Sequence, residues 1–179
     1  MKRIITLLSI LFTLSCGMLT SSAVKAAENL IMRGSLVDAP CFIRPGDDLI
    51  KLDFEEVIDK FLYRYTRTPS RPLLIHLEDY DVSVFKGVEV TFQGTENSSL
   101  PGLLRLDAGS SARGVAIGIE GLDGSAVKIN KPAPAKALQA GNMVLAFQAY
   151  VQGEPDAILN RRIGHGQFTA TATFILNYL

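Results

Sequence analysis

Catalysis and metal binding draw on a short roster of side chains, and this 179-residue chain is poor in them. It has two histidines and two cysteines. His76 alternates with Leu74 and Glu78, the pattern of a strand surface, and His165 lies in Gly164-His165-Gly166, which reads as a turn. Neither has a cysteine or carboxylate at metal-ligand spacing. Nucleophilic catalysis needs a serine or cysteine beside a positioned base, and no Gly-x-Ser-x-Gly elbow occurs. Gly118-Ile-Glu-Gly-Leu-Asp-Gly124 departs from the dinucleotide fingerprint and precedes no helical pattern, so it reads as a strand end and turn. Glu78, Asp79 and Asp81 form one acidic group without a second, which reads as a solvated loop. Asn97-Ser98-Ser99 matches a glycosylation motif. Arg64, Arg67 and Arg71 interleave with Tyr63 and Tyr65, and read as an exposed loop or partner surface. The residues therefore predict no catalytic, cofactor or metal site, no small-molecule substrate and no enzyme.

What remains is chemistry of the backbone. From Gly166 to Leu179 the chain reads GQFTATATFILNYL, alternating with a period of two. Phe168, Ala170, Ala172, Phe174, Leu176 and Tyr178 share one face, and Thr169, Thr171, Thr173, Ile175 and Asn177 the other. A long apolar strand at an edge is a template for pairing with another chain unless something covers it. The elements that would carry such a strand are also β-rich. Leu30–Val37, Leu49–Phe54, Leu73–Leu77, Val88–Phe92, Leu103–Leu106, Gly114–Ile119, Met143–Val151 and Phe168–Tyr178 read as short strands between turn sequences. Glu55–Tyr63 and Pro155–Arg162 read as short helices, and Lys128–Gln139 as a surface loop. This spacing predicts an all-β sandwich or barrel in one domain.

The first 26 residues stand apart. Lys2 and Arg3 precede an apolar run from Ile4 to Leu14, too short to span a bilayer, and Val24-Lys25-Ala26 offers a small-residue cleavage site. The segment reads as a secretory signal peptide, with acylation at Cys16 as the alternative. Three of the 18 basic residues and none of the 18 acidic ones lie there, so residues 27–179 carry a net charge of −3. That balance argues against nucleic acid as a partner. Cleavage after Ala26 would leave Cys41 as a lone cysteine in an oxidising compartment.

The glycine fourteenth from the end, the penultimate Tyr178, Asp38-Ala-Pro-Cys41, Gly94-Thr-Glu…Leu100-Pro-Gly102, Gly114-Val-Ala-Ile117 and Phe147-Gln-Ala-Tyr150 form an ordered set. In that order, together with the signal peptide, the sequence resembles the subunits of chaperone–usher pili of Gram-negative bacteria. Met32-Arg33-Gly34, Leu100-Pro-Gly102 and Ala170-Thr-Ala-Thr-Phe174 are most similar to the adaptor subunits of P-pilus-type tip fibrillae. The resemblance implies an incomplete immunoglobulin-like sandwich lacking its last strand, spanning 38–179. It implies that a periplasmic chaperone fills the groove along Gly166, Phe168, Ala170, Ala172, Phe174, Leu176 and Tyr178, and anchors the carboxylate of Leu179. In the fibre, beyond the outer-membrane usher, the extension 27–37 of the next subunit would take the chaperone's place.

Leu30, Met32, Gly34 and Leu36 alternate onto one face of that extension and are the expected donor residues. The expected product is an extracellular fimbrium that supports adhesion. A shaft pilin, a terminator, or a self-contained periplasmic β-sandwich binding protein or enzyme are the rival readings. The family's usual disulfide from the position of Cys41 would end where Tyr80 stands here, in Leu77-Glu-Asp-Tyr80. A buried, unreactive Cys41 against Tyr80, a free thiol, or an intermolecular bridge remain open.

Overall fold

The computed structural model describes residues 42–80, 83 and 85–179, with Phe42 and Tyr80 described by their backbone alone. The elements in chain order are β1 (Phe42–Ile43), α1 (Asp59–Tyr65), β2 (Arg71–Tyr80), β3 (Gly87–Gln93), β4 (Leu104–Arg105), β5 (Val115–Gly121), β6 (Ala126–Val127), β7 (Lys136–Ala137), β8 (Gly141–Gly153), α2 (Pro155–Leu159) and β9 (Thr173–Tyr178). Two antiparallel sheets result. The larger runs β1-β2-β8-β5-β4 with β6 also on β5, and the smaller runs β7-β3-β9.

Alternation drives the packing. On β3 the residues Val88, Val90 and Phe92 are buried and their neighbours are not, and on β8 Leu145, Phe147, Ala149 and Val151 point inward. Phe147, 2% exposed, meets Phe92 edge-on with ring centroids 5.2 Å apart, joining the two sheets at the centre of the core. Replacing Phe147 with alanine should cost about 3–5 kcal/mol, read from the urea midpoint at unchanged slope. A loss below about 1 kcal/mol would mean that the sheets are not joined there.

Several sequence expectations shift. Leu49–Phe54 forms no assigned strand: Ile50, Leu52 and Phe54 are half-buried and alternate with exposed neighbours, but no ladder joins them to another strand. The helix expected at Glu55–Tyr63 starts at Asp59 and runs to Tyr65, because only Leu62 reaches the core and fixes its phase. The second helix stops at Leu159, where Asn160 folds its amide back onto the Asp156 carbonyl at 2.9 Å. The loop Lys128–Gln139 contains the two-residue β7, held on β3. Glu78 and Asp79 lie in β2 rather than in a loop, and Glu78 accepts a hydrogen bond from Arg44 Nε at 2.7 Å.

On the outer face of the larger sheet Gly118 lies opposite Tyr150, whose ring occupies the space a side chain at 118 would need. Arg67 stacks on the same ring at 3.8 Å. Gly118→Ala should therefore displace Tyr150 and destabilise by about 1–3 kcal/mol. Unchanged stability in a thermal melt would refute this packing.

Candidate functional site

The alternation that runs through the carboxy-terminal segment is reproduced residue by residue. Phe168, Ala170, Ala172, Phe174, Leu176 and Tyr178 are all half-buried, and Gln167, Thr169, Thr171, Thr173, Ile175, Asn177 and Leu179 are all exposed. The apolar face packs on the core without any member becoming fully buried. The segment divides between two partners. Residues 173–178 pair with β3, from Gln93↔Thr173 to Val88↔Tyr178. Before that, Asp107 N–H donates to the Thr169 carbonyl, and Ser111 and Ala112 N–H donate to that of Gln167. The strand expected at Phe168–Tyr178 thus shortens to Thr173–Tyr178, because the chain exchanges partners between the two stretches.

Hydrogen-bond register decides where the remaining backbone groups point. Leu179 N–H donates to the Gly87 carbonyl at 2.8 Å, and Gly87 N–H donates back to that of Leu179 at 3.2 Å. Bonded and non-bonded positions alternate along an antiparallel pair. Phe174 and Leu176 therefore direct their N–H and C=O groups away from β3. Among the described residues no strand lies on that side of β9. The residues whose side chains face inward are the ones whose backbone faces the open edge.

Beside it stands a second apolar row that sequence reasoning divided between an ordinary strand, Leu49–Phe54, and a short helix, Glu55–Tyr63. Ile50, Leu52, Phe54 and Val57 pack half-buried on the core. Their segment follows the outer edge of β2: Asp47 accepts from His76 N–H at 2.8 Å and pairs with its Nδ1 at 2.7 Å, and Glu55 pairs with Arg71 at 2.9 Å. The hydrogen bond from the His76 backbone is the main reason that the Asp47 carboxyl is held below its usual range. His76 is thus a half-buried anchor of this edge as well as a strand residue. Phe54 approaches Phe168 with ring centroids 6.3 Å apart, so the two rows converge at one end. There a cavity of ≈ 120 Å³ is lined by Val57, Leu62, Val115, Val151, Gly166 and Phe168, among others.

That end is bounded by polar contacts between α1 and residues 163–165. His165 Nε2 lies 3.0 Å from Asp59 Oδ2, and Ile163 N–H donates to the Tyr63 hydroxyl at 3.1 Å. Gly166 has φ +140°, and a Cβ there would lie 2.6 Å from that of Ser111, so only glycine lets the chain enter this close crossing without strain.

The expected donor residues Leu30, Met32, Gly34 and Leu36, the lone Cys41, and Asp81 lie outside the described residues. The basic–aromatic stretch is not a free loop. Arg67 donates from both terminal nitrogens to Glu120 at 2.8 Å, Arg71 holds Glu55, and Arg64 lies on α1. Asn97 of the glycosylation motif is buried, its carboxamide donating to Glu154 at 2.8 Å and accepting from the Ser99 and Leu100 amides. Among the described residues no group of three His, Cys, Asp or Glu side chains is placed to hold a metal ion. None of their helices is long and apolar enough to cross a membrane.

Comparison with known proteins places these features in context. A family model described as fimbrial protein matches residues 30–179. The fimbrial adapter PapK of Escherichia coli is 34% identical over 167 residues, covering 88% of this chain and 92% of PapK. The putative minor fimbrial subunit PmfF of Proteus mirabilis is 29% identical over 172 residues, covering 92% and 94%. Among solved structures, a subunit from the structure of a chaperone–usher pilus superposes with a TM-score of 0.68 at 25% identity, covering 87% of this chain and 97% of that one.

Proposed function

The chain belongs to the fimbrial protein family as a structural subunit of chaperone–usher pili, with an immunoglobulin-like fold and no enzymatic role, and on that premise we propose that it is a minor tip adaptor assembled by strand exchange. The observation that carries this reading is the edge of β9 that no strand among the described residues covers, where Phe174 and Leu176 offer apolar side chains and backbone hydrogen-bonding groups to the same incoming strand. An unpaired apolar edge is unfavourable in water, and strand addition relieves it by ladder bonds and burial together.

In this reading residues 1–26 are removed on export and 38–179 form the domain. A periplasmic chaperone occupies the groove along Gly166, Phe168, Ala170, Ala172, Phe174, Leu176 and Tyr178, and holds the end at Leu179. At the usher, a neighbour's extension takes its place. This chain's own 27–37, through Leu30, Met32, Gly34 and Leu36, completes another subunit in the surface fimbrium. PapK, an adapter by name at 34% identity, fits the adaptor role.

Ala172→Arg tests the groove directly. The residue is small, half-buried and central in the row, so a guanidinium there would obstruct an incoming strand. Its expected effect is loss of the co-purifying periplasmic chaperone, scored by pull-down of the tagged chain, with Thr171→Arg on the exposed face as control. Equal recovery of chaperone with both variants would overturn the assignment.

A further inference from the structure

Helix α1 carries an apolar stripe that the groove does not use. Ile58, Phe61 and Tyr65 are 62%, 37% and 59% exposed. Ile58 is the extended residue at the start of α1, Phe61 and Tyr65 follow at spacings of three and four, and the rings of those two lie 4.5 Å apart on one helical face. Beside them is a cleft of ≈ 390 Å³ lined by Phe54, Val57, Ile58, Phe61, Pro69 and Arg71, among others. Phe54 and Val57 also form the wall of the groove, so stripe and groove are one continuous surface. Exposed Lys60 and Arg64 flank it along with exposed Glu55 and Glu56, so neither sign of charge prevails. That mixed rim suits a protein surface better than a polyanion or an anionic membrane.

We propose that this stripe is the docking surface for the globular domain of the neighbouring subunit whose strand fills the groove; the inference rests on the reading under Proposed function. Two facts select this occupant. Antiparallel pairing is the more stable mode for a strand added to β9, and it brings the donor strand's carboxy-terminal end to the residue-166 end of the groove. Helix α1 is fastened at that same end, through Asp59–His165 and Tyr63–Ile163. Reach is the second fact. In this sequence only residues 38–41 separate the expected donor segment from β1, about 14 Å when fully extended. A neighbour built like this chain must therefore hold its domain against the groove's end, where exposed aromatic residues are the typical anchors of an interface.

The test compares two probes of the groove of the mature chain: a synthetic peptide of residues 27–37, and a second mature copy, in which the same segment leads directly into a domain. Dissociation rates are measured for the wild type, for Phe61→Ser combined with Tyr65→Ser, and for Ile58→Lys as an independent variant. All three positions are exposed, and melting curves check that the variants fold. The expected result is that peptide dissociation is unchanged while the second copy leaves at least about tenfold faster from both variants, since interface changes act mainly on the off-rate. Unchanged dissociation of the second copy would overturn the docking surface while leaving strand exchange intact. Failure of the peptide to bind the wild-type chain would instead overturn strand exchange, and the docking surface with it.

Discussion

Deleting residues 27–37 should leave a subunit that still recruits its chaperone but no longer completes a neighbour. The two halves of the proposed exchange lie on different parts of the chain, so one can be removed without the other. The proposed acceptor surfaces are the rows at 50–57 and 168–178, both outside the deletion. The proposed donor surfaces are Leu30, Met32 and Leu36, whose full burial would contribute roughly 1.5–3 kcal/mol each, or about 5–9 kcal/mol together before ordering costs. A gross loss of that size corresponds to more than a thousandfold in an equilibrium constant. The measurement is paired: chaperone recovered with the shortened chain, and fibres formed by it under the electron microscope. Retained chaperone with fibres lost is the expected outcome. If the shortened chain still polymerises, the donor assignment is wrong.

The second large effect lies away from the groove. Glu120→Ala should destabilise the domain by about 3 kcal/mol, the low end for removing one member of a desolvated pair, because Arg67 keeps partial access to water. Glu120 is 4% exposed and accepts hydrogen bonds from both terminal nitrogens of Arg67 at 2.8 Å and from the Ser70 hydroxyl at 2.5 Å. Its loss leaves Arg67 and Ser70 without their shared acceptor, and loosens the guanidinium that stacks on Tyr150.

The same carboxylate gives the stability a pH dependence of fixed sign. The hydrogen bonds from Arg67 hold Glu120 below the ordinary glutamate value of 4.5, with burial opposing and Ser70 assisting. A carboxyl group whose pKa is lower in the folded chain stabilises it above the unfolded value, and that stability is lost as pH falls through the folded value. Asp47 and Asp59, lowered mainly by His76 and His165, act in the same direction. Urea midpoints should therefore fall as the solution is acidified below about 4.5, and fall less steeply in Glu120→Gln than in the wild type. Parallel curves for the two proteins would remove Glu120 from the explanation.

Much of this was readable from side-chain periodicity. A strand with one face on a core must alternate, so Val88–Phe92 and the stretch 168–178 announce both their structure and their inward residues. The two-sheet immunoglobulin-like fold followed from many such strands together with the ordered family motifs. Local pattern was less informative wherever long-range partners dominate. Leu49–Phe54 alternates like any strand, but nothing in it reveals that no ladder partner is assigned to it. Arg67 looks like a surface cation until Glu120, fifty-three residues later, meets it. His76 carried no sign that Asp47 would hold it by backbone and ring at once.

The amino-acid order alone determined which residues share a face and which family supplies the design. These are properties of a few neighbouring residues, and a period of two is written directly in the chain. Tertiary structure decided which edges are left open among the described residues: the rows at 50–57 and 168–178 converge through Phe54 and Phe168, and α1 is fastened beside them. An edge is open only relative to every other strand in the fold, so its existence depends on the whole topology rather than on any segment.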